Sequence, residues 1–265
     1  MNMRVNRREF IGSIMLATAG MGASAAEKPA ENTFPVLKGE EFKGMEGAFV
    51  PIFTPYTEDS VRLAKHAEKA GADWISSLGP LVFGQNFDAS YYHYSRIAGA
   101  TGLPMMIYCW YRDLVPERER KFYDIPNLKG LKYTGHDFWA VQEMRRMVDK
   151  EIVCFVGDDP HLLGGLTMSN LFSGGIGTTY NVIPRAYVEI CRLAKEGRFA
   201  EAAPIQDRAN RLTWLLSRSS NFSFRKAAMR HLGFDCGFAR SPFGQPISAA
   251  EYESFIATLK PLLGA

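Results

Sequence analysis

The sequence predicts an α/β fold in which parallel strands and crossover helices form a (β/α) barrel, and three observations carry that prediction. Short apolar runs alternate with longer amphipathic ones from residue 47 to the end, the pattern of parallel strands joined through helices. No Gly-rich GxGxxG turn follows the first strand. The open nucleotide-binding sheet, the other architecture this alternation allows, therefore lacks its signature. Polar, reactive side chains recur at the C-terminal ends of several different strands: Tyr108, Lys132, Thr134, Asp159 and Thr178. A barrel turns all such ends toward one site.

The elements follow in order. GAFVPIFTPY opens the domain with a strand near 47–54. VRLAKHAEKAGAD, residues 61–73, is an amphipathic helix with Val61, Leu63, Ala64, Ala67 and Ala70 apolar and Gly71 as its C-cap. WISSLGP is a strand near 74–79, and FDASYYHYSRIAGATG a helix starting at Asp88 or Ser90. PMMIYCWY gives a strand near 104–110 and PERERKFYDI a short helical piece. LKGLKYTG is a strand near 128–134, followed by the helix DFWAVQEMRRMVDK. EIVCFVGDD is a strand near 151–157, followed by the helix HLLGGLTMSNLF. GGIGTTYNV is the last strand, near 174–181, and a long helical region completes the chain. In the fourth strand, Leu131 and Tyr133 flank Lys132, which sets the lysine on the face opposite its apolar neighbours.

Ahead of the barrel domain at 47–265, residues 1–26 read as an export signal. Arg7-Arg8 precede FIGSIMLATAGMG and then ASAA, the charged, apolar and small-residue order of a leader. NRREFIG also resembles the twin-arginine signal. The expectation is cleavage near Ala25 or Ala26, a periplasmic mature protein, and a polar linker over 27–46. The leader's three arginines and one glutamate leave 28 basic and 27 acidic residues beyond it, net +1. No nucleic-acid footprint is present in that balance. Cys109, Cys154, Cys191 and Cys236 form no CxxC pair and are read as structural, unpaired thiols.

In chain order AFVPIFTPYTED, HAEKAGAD, LPMMIY, GLKYTGHD, VGDD, GGIGTTYNV and RSPFGQP resemble the N-acetylneuraminate lyase and dihydrodipicolinate synthase family of class I, pyruvate-dependent aldolases. Thr-Tyr-Asn and PFGQP resemble its sialic-acid lyase branch. The resemblance implies a TIM-type barrel in which Lys132 forms a Schiff base with pyruvate or another 2-keto acid. An amine kept neutral by desolvation suits that step. It implies that Tyr108 relays protons, and that Thr134, Gly157, Asp159 and Thr178 contact a polyhydroxylated substrate. It implies a small-molecule substrate, no metal or cofactor, no nucleic acid or membrane partner after leader cleavage, and a homo-oligomer, a tetramer in the family. Asp158 and Asp159 have an alternative reading as a helix N-cap pair. His136 and Asp137 read as cap residues, and Gly174, Gly175 and Gly177 as sites of tight backbone passage.

The chain departs from the family in three places. Cys109-Trp110-Tyr111 replaces the usual Tyr-Asn-x-Pro continuation, and Pro160 stands where sialic-acid lyases commonly carry a glutamate. The Gly-Thr/Ser-Thr/Ser-Gly-Glu loop that holds the pyruvate carboxylate is missing, along with roughly two βα units. Six of eight strands remain, an incomplete barrel with extra C-terminal helices. Two functions follow as expectations. One is a Schiff-base lyase or aldolase, N-acetylneuraminate lyase-like, or alternatively dihydrodipicolinate synthase-like or another 2-keto acid aldolase or dehydratase. The other is a non-catalytic truncated homologue.

Overall fold

Six parallel strands lie side by side in chain order, each hydrogen-bonded to the next. The computed structural model describes residues 49–52, 57–80, 86–110, 114–168, 170–217, 219 and 221–263. The export leader and the linker read over 1–46 lie outside the described residues, as do 53–56, 81–85 and 111–113, which follow the first three strands.

The strands are β1 (Phe49–Ile52), β2 (Trp74–Leu78), β3 (Met105–Trp110), β4 (Leu128–Thr134), β5 (Val153–Val156) and β6 (Gly174–Gly175). The helices are α1 (Thr57–Lys69), α2 (Phe87–Ala98), α3 (Pro116–Glu119), α4 (Phe138–Arg146), α5 (Leu162–Leu166), α6 (Pro184–Lys195), α7 (Phe199–Ser217), α8 (Ser223–His231) and α9 (Ala249–Leu259). The incomplete barrel is therefore the observed architecture, with α6 to α9 as its C-terminal helices. No ladder joins β6 back to β1 among the described residues. No helix of the described residues is long and apolar enough to cross a membrane.

Alternation along the strands sorts their side chains into two layers. Met105, Ile107 and Cys109 of β3, Leu131 and Tyr133 of β4, and Cys154 and Val156 of β5 join the large core shared with the helices. Ala64 and Ala67 of α1, Tyr94 and Ile97 of α2, and Val141 and Met144 of α4 meet them there. Burying one such large side chain fully contributes about 1.5–3 kcal/mol. The other face holds a small second cluster of Met106, Phe155 and Ile176, with Val153 packed on it. Lys132 belongs to this inner face, since its register partners are Tyr108 on β3 and Phe155 on β5.

Of the boundaries that differ from the sequence reading, three have a local cause. Helix α1 begins at Thr57, and Glu58 and Asp59 in its first turn suit the positive end of its dipole. Helix α2 is capped by Asn86, whose side chain accepts from the Asp88 and Ala89 N–H groups at 2.9 and 3.2 Å. That replaces the expected start at Asp88 or Ser90. The strand expected over 174–181 pairs only at Gly174 and Gly175, and Thr179–Asn181 form a 3₁₀ turn instead. Asp159 causes the curl, since it takes the Thr179 N–H at 2.7 Å and draws that segment off the ladder. No disulfide joins Cys109, Cys154, Cys191 and Cys236. Burial pushes the Cys154 thiol up to about 12, which fits the structural role expected of it.

Candidate active site

The mouth is built from the ends of β3, β4 and β5. Lys132 reaches inward from β4 and is 5% exposed. Its Nζ lies 3.9 Å from the centre of the Tyr108 ring, a geometry fixed by the direct pairing of these two residues across β3 and β4. Burial lowers the Lys132 pKa to about 8, and the charge of Asp159 opposes the drop. A buried amine with that pKa holds a useful neutral fraction near pH 7 and can act as a nucleophile.

Asp159 follows β5 and is also buried. Burial raises its pKa, while hydrogen bonds from Thr179 and the charge of Lys132 act against that rise. The two groups thus move toward neutrality together and are each held back by the other. Both the N–H and the hydroxyl of Thr179 donate to Oδ2 of Asp159. The Thr179 hydroxyl also meets Tyr187 OH of α6 at 2.5 Å. Gln206 of α7 donates to the Asp159 carbonyl at 3.1 Å. The side chain and the backbone of this carboxylate are therefore both fixed.

Two glycines make the close approaches possible. A Cβ at Gly177 would stand 1.6 Å from Asp159 Oδ1, and one at Gly157 would stand 2.1 Å from Thr134 Oγ1. No larger residue fits at either position without displacing a site group. The Gly157 N–H donates to the Tyr133 carbonyl at 2.7 Å, carrying the β4–β5 pairing one residue past the strand. Thr134 Oγ1 is buried and makes no hydrogen bond among the described residues, an orphan that a bound polar group would satisfy.

The structure sets Tyr108 in contact with Lys132 and Asp159 within reach of its charge, and it places Thr134 beside Gly157. Thr178 is half-buried at the start of the 3₁₀ turn, one residue from the Thr179 that binds Asp159. Asp137 does cap α4, accepting from the Ala140 N–H at 2.9 Å. Asp158 and Asp159 flank the start of a 3₁₀ turn, and neither makes a side-chain cap bond there. His136 is no cap. Its Nδ1 lies 4.0 Å from Asp158 Oδ2, and His161 Nδ1 lies 2.8 Å from the same oxygen.

Sequence reasoning missed Thr179, Tyr187 and Gln206. Only the second threonine of GGIGTTYN was within its reach, as the neighbour of the one chosen. It also missed a buried chain in which His93 meets Thr57 Oγ1 at 3.0 Å and Ser77 Oγ at 3.4 Å. That pair is not a nucleophile and its base, because the Ser77 hydroxyl donates to the Leu78 carbonyl at 2.9 Å. A shallow groove of about 450 Å³, lined by Phe87, Tyr91, Tyr92 and Lys121, lies outside the sheet and includes none of the strand-end residues.

Residues 53–262 match the Dihydrodipicolinate synthetase family. An N-acetylneuraminate lyase of Rhizobium meliloti is 29% identical over 220 residues, covering 80% of this chain and 71% of that protein. A 4-hydroxy-tetrahydrodipicolinate synthase of Brucella abortus is 32% identical over 209 residues, covering 77% of this chain and 70% of that protein. Among solved structures, an N-acetylneuraminate lyase from Mycoplasma synoviae aligns with a TM-score of 0.72 at 26% identity, over 84% of this chain and 75% of that one.

Proposed function

The chain belongs to the dihydrodipicolinate synthetase family, and from that premise we propose that it makes or breaks a carbon–carbon bond of a 2-keto acid through an imine on Lys132. The neutral amine attacks the keto carbon, and loss of water gives the iminium. When the C3–C4 bond breaks, its electron pair flows into the iminium to give an enamine, and the C4 hydroxyl gives up a proton as it becomes an aldehyde. Tyr108, against the amine, is the group proposed to move that proton. Protonation at C3 and hydrolysis release pyruvate and free Lys132.

The observation that carries this reading is the Lys132–Tyr108 contact: a buried amine 3.9 Å from a phenol ring at the end of two paired strands. A polyhydroxylated, sialic-acid-like substrate is the preferred choice. Thr134 offers an unsatisfied hydroxyl for such a compound, and the Thr-Tyr-Asn segment resembles that branch. Relatives of both names match at about the same identity, so the dihydrodipicolinate synthase-like reaction is the second reading. The absent carboxylate loop favours a third, a non-catalytic homologue. Incubation with pyruvate and borohydride separates it from the first two, since only a competent amine is alkylated. Pyruvate release from N-acetylneuraminate, against condensation of pyruvate with aspartate semialdehyde, then separates the two enzymes.

A further inference from the structure

Just beyond β4 and β5 stand three side chains that the proposed imine chemistry does not use. His136 follows β4, Asp158 follows β5, and His161 ends the 3₁₀ turn after it. One possible ligand atom from each lies within 4.8 Å of the other two. The imidazoles meet edge to face, with centres 5.0 Å apart and planes at 82°. His161 Nδ1 is shielded from water and, although 2.8 Å from Asp158 Oδ2, makes no aligned hydrogen bond.

Neighbouring elements position the cluster. Pairing of Tyr133 with Val156 sets β4 and β5 in register, so their two following loops emerge together. The Asp137 cap anchors the residue after His136. The Phe138 ring stands edge-on to His161, 6.2 Å between centres.

We infer that His136, Asp158 and His161 bind one borderline divalent cation of the zinc and cobalt class. Two imidazole nitrogens and one carboxylate oxygen suit such ions, whereas magnesium and calcium prefer ligand sets made of oxygen. At metal–ligand bonds of about 2.0–2.2 Å, neighbouring ligand atoms sit roughly 3.0–3.5 Å apart. His161 and Asp158 already approach that spacing, and the long edge is the one to His136. That side chain is 71% exposed, so it has room to swing the remaining ångström or so. Three protein ligands leave a coordination position open. Asp158 adjoins the Asp159 that feels the charge of Lys132, so the open position sits at the lip of the same mouth. Water, or an oxygen of a hydroxylated or carboxylated compound, would fill it. The ion site stands whether or not Lys132 forms an imine.

The test is a titration of the chelator-treated full chain with Co²⁺, followed by the visible d–d bands of the bound ion, and then with Zn²⁺ as competitor. The expected result is one Co²⁺ per chain, displaced by Zn²⁺ and indifferent to Mg²⁺. His136→Ala and His161→Ala should each weaken binding by about tenfold or more, with circular dichroism unchanged. His66→Ala, at a site on α1, should leave the curve unmoved. Absence of the bands at saturating Co²⁺ would overturn the assignment. So would full-strength binding in the doubly substituted H136A/H161A chain, or displacement of Co²⁺ by Mg²⁺.

Discussion

Asp158 and Asp159 are neighbours in the chain, yet they belong to two regions of the mouth that burial has treated differently. Asp159 lies on the floor, where Thr179, Gln206 and Lys132 surround it and a glycine leaves it room. Asp158 lies on the rim, where its contacts are two histidine side chains 71% and 43% exposed. On the floor every polar group is desolvated, so an unpaired one is costly and geometry is held tightly. On the rim, His136 and His161 keep much of their side chains in solvent, so charges there are better screened than on the floor. The floor suits chemistry that needs a shifted pKa, and the rim suits capture of an ion.

This contrast can be broken by substitution, and Gly177→Ala is the strongest test. The new methyl would enter the space of Asp159 Oδ1, 1.6 Å away. Either Asp159 leaves Thr179 or the backbone shifts, and the expected cost is about 3 kcal/mol, read by denaturant unfolding. Next is Tyr108→Phe, which keeps the ring over Lys132 and removes the hydroxyl proposed to carry the proton. Turnover should fall by about a hundredfold, while trapping of a pyruvate adduct persists.

The floor also responds to pH. With the Lys132 pKa at about 8, the neutral amine fraction rises about tenfold between pH 7 and pH 9. The initial rate of imine formation should rise in step, measured on timed aliquots quenched into borohydride at one fixed pH. The sign for stability follows from the same shift. Between about pH 8 and 10.5 the unfolded chain holds a lysine proton that the folded chain has lost. The Lys132 contribution to stability therefore increases as pH rises through that window and is level below it. The smallest effect belongs to the rim. His136→Ala should change stability by less than about 0.5 kcal/mol, and a larger loss in denaturant unfolding would show that the rim is as tightly built as the floor.

Much of the floor was legible in the chain itself. Apolar Leu131 and Tyr133 on either side of Lys132 place it on the inner face, and the structure puts it there. Alternation of strands and helices yields the parallel order, since each apolar run must pair with the next through a crossover. The carboxylate's partners were not legible, because Tyr187 and Gln206 come from helices well beyond it in sequence. The curl at Thr179 was hidden for the same reason. GGIGTTYNV has strand composition, and only a contact with Asp159 across the sheet ends its ladder. At the rim, Asp158 and His161 lie three residues apart, a spacing visible in sequence. His136 joins them only because parallel neighbours bring their following loops together.

Whether Lys132 is a nucleophilic amine is decided by borohydride trapping with pyruvate, followed by mapping of the adduct. Wild-type protein incubated with both reagents should gain one pyruvate-derived adduct per chain by intact mass. Peptide mapping should place it on Lys132, and Lys132→Ala should show none. A folded wild type that gains no adduct, or an adduct that persists in Lys132→Ala, would rule out Lys132 as the nucleophile.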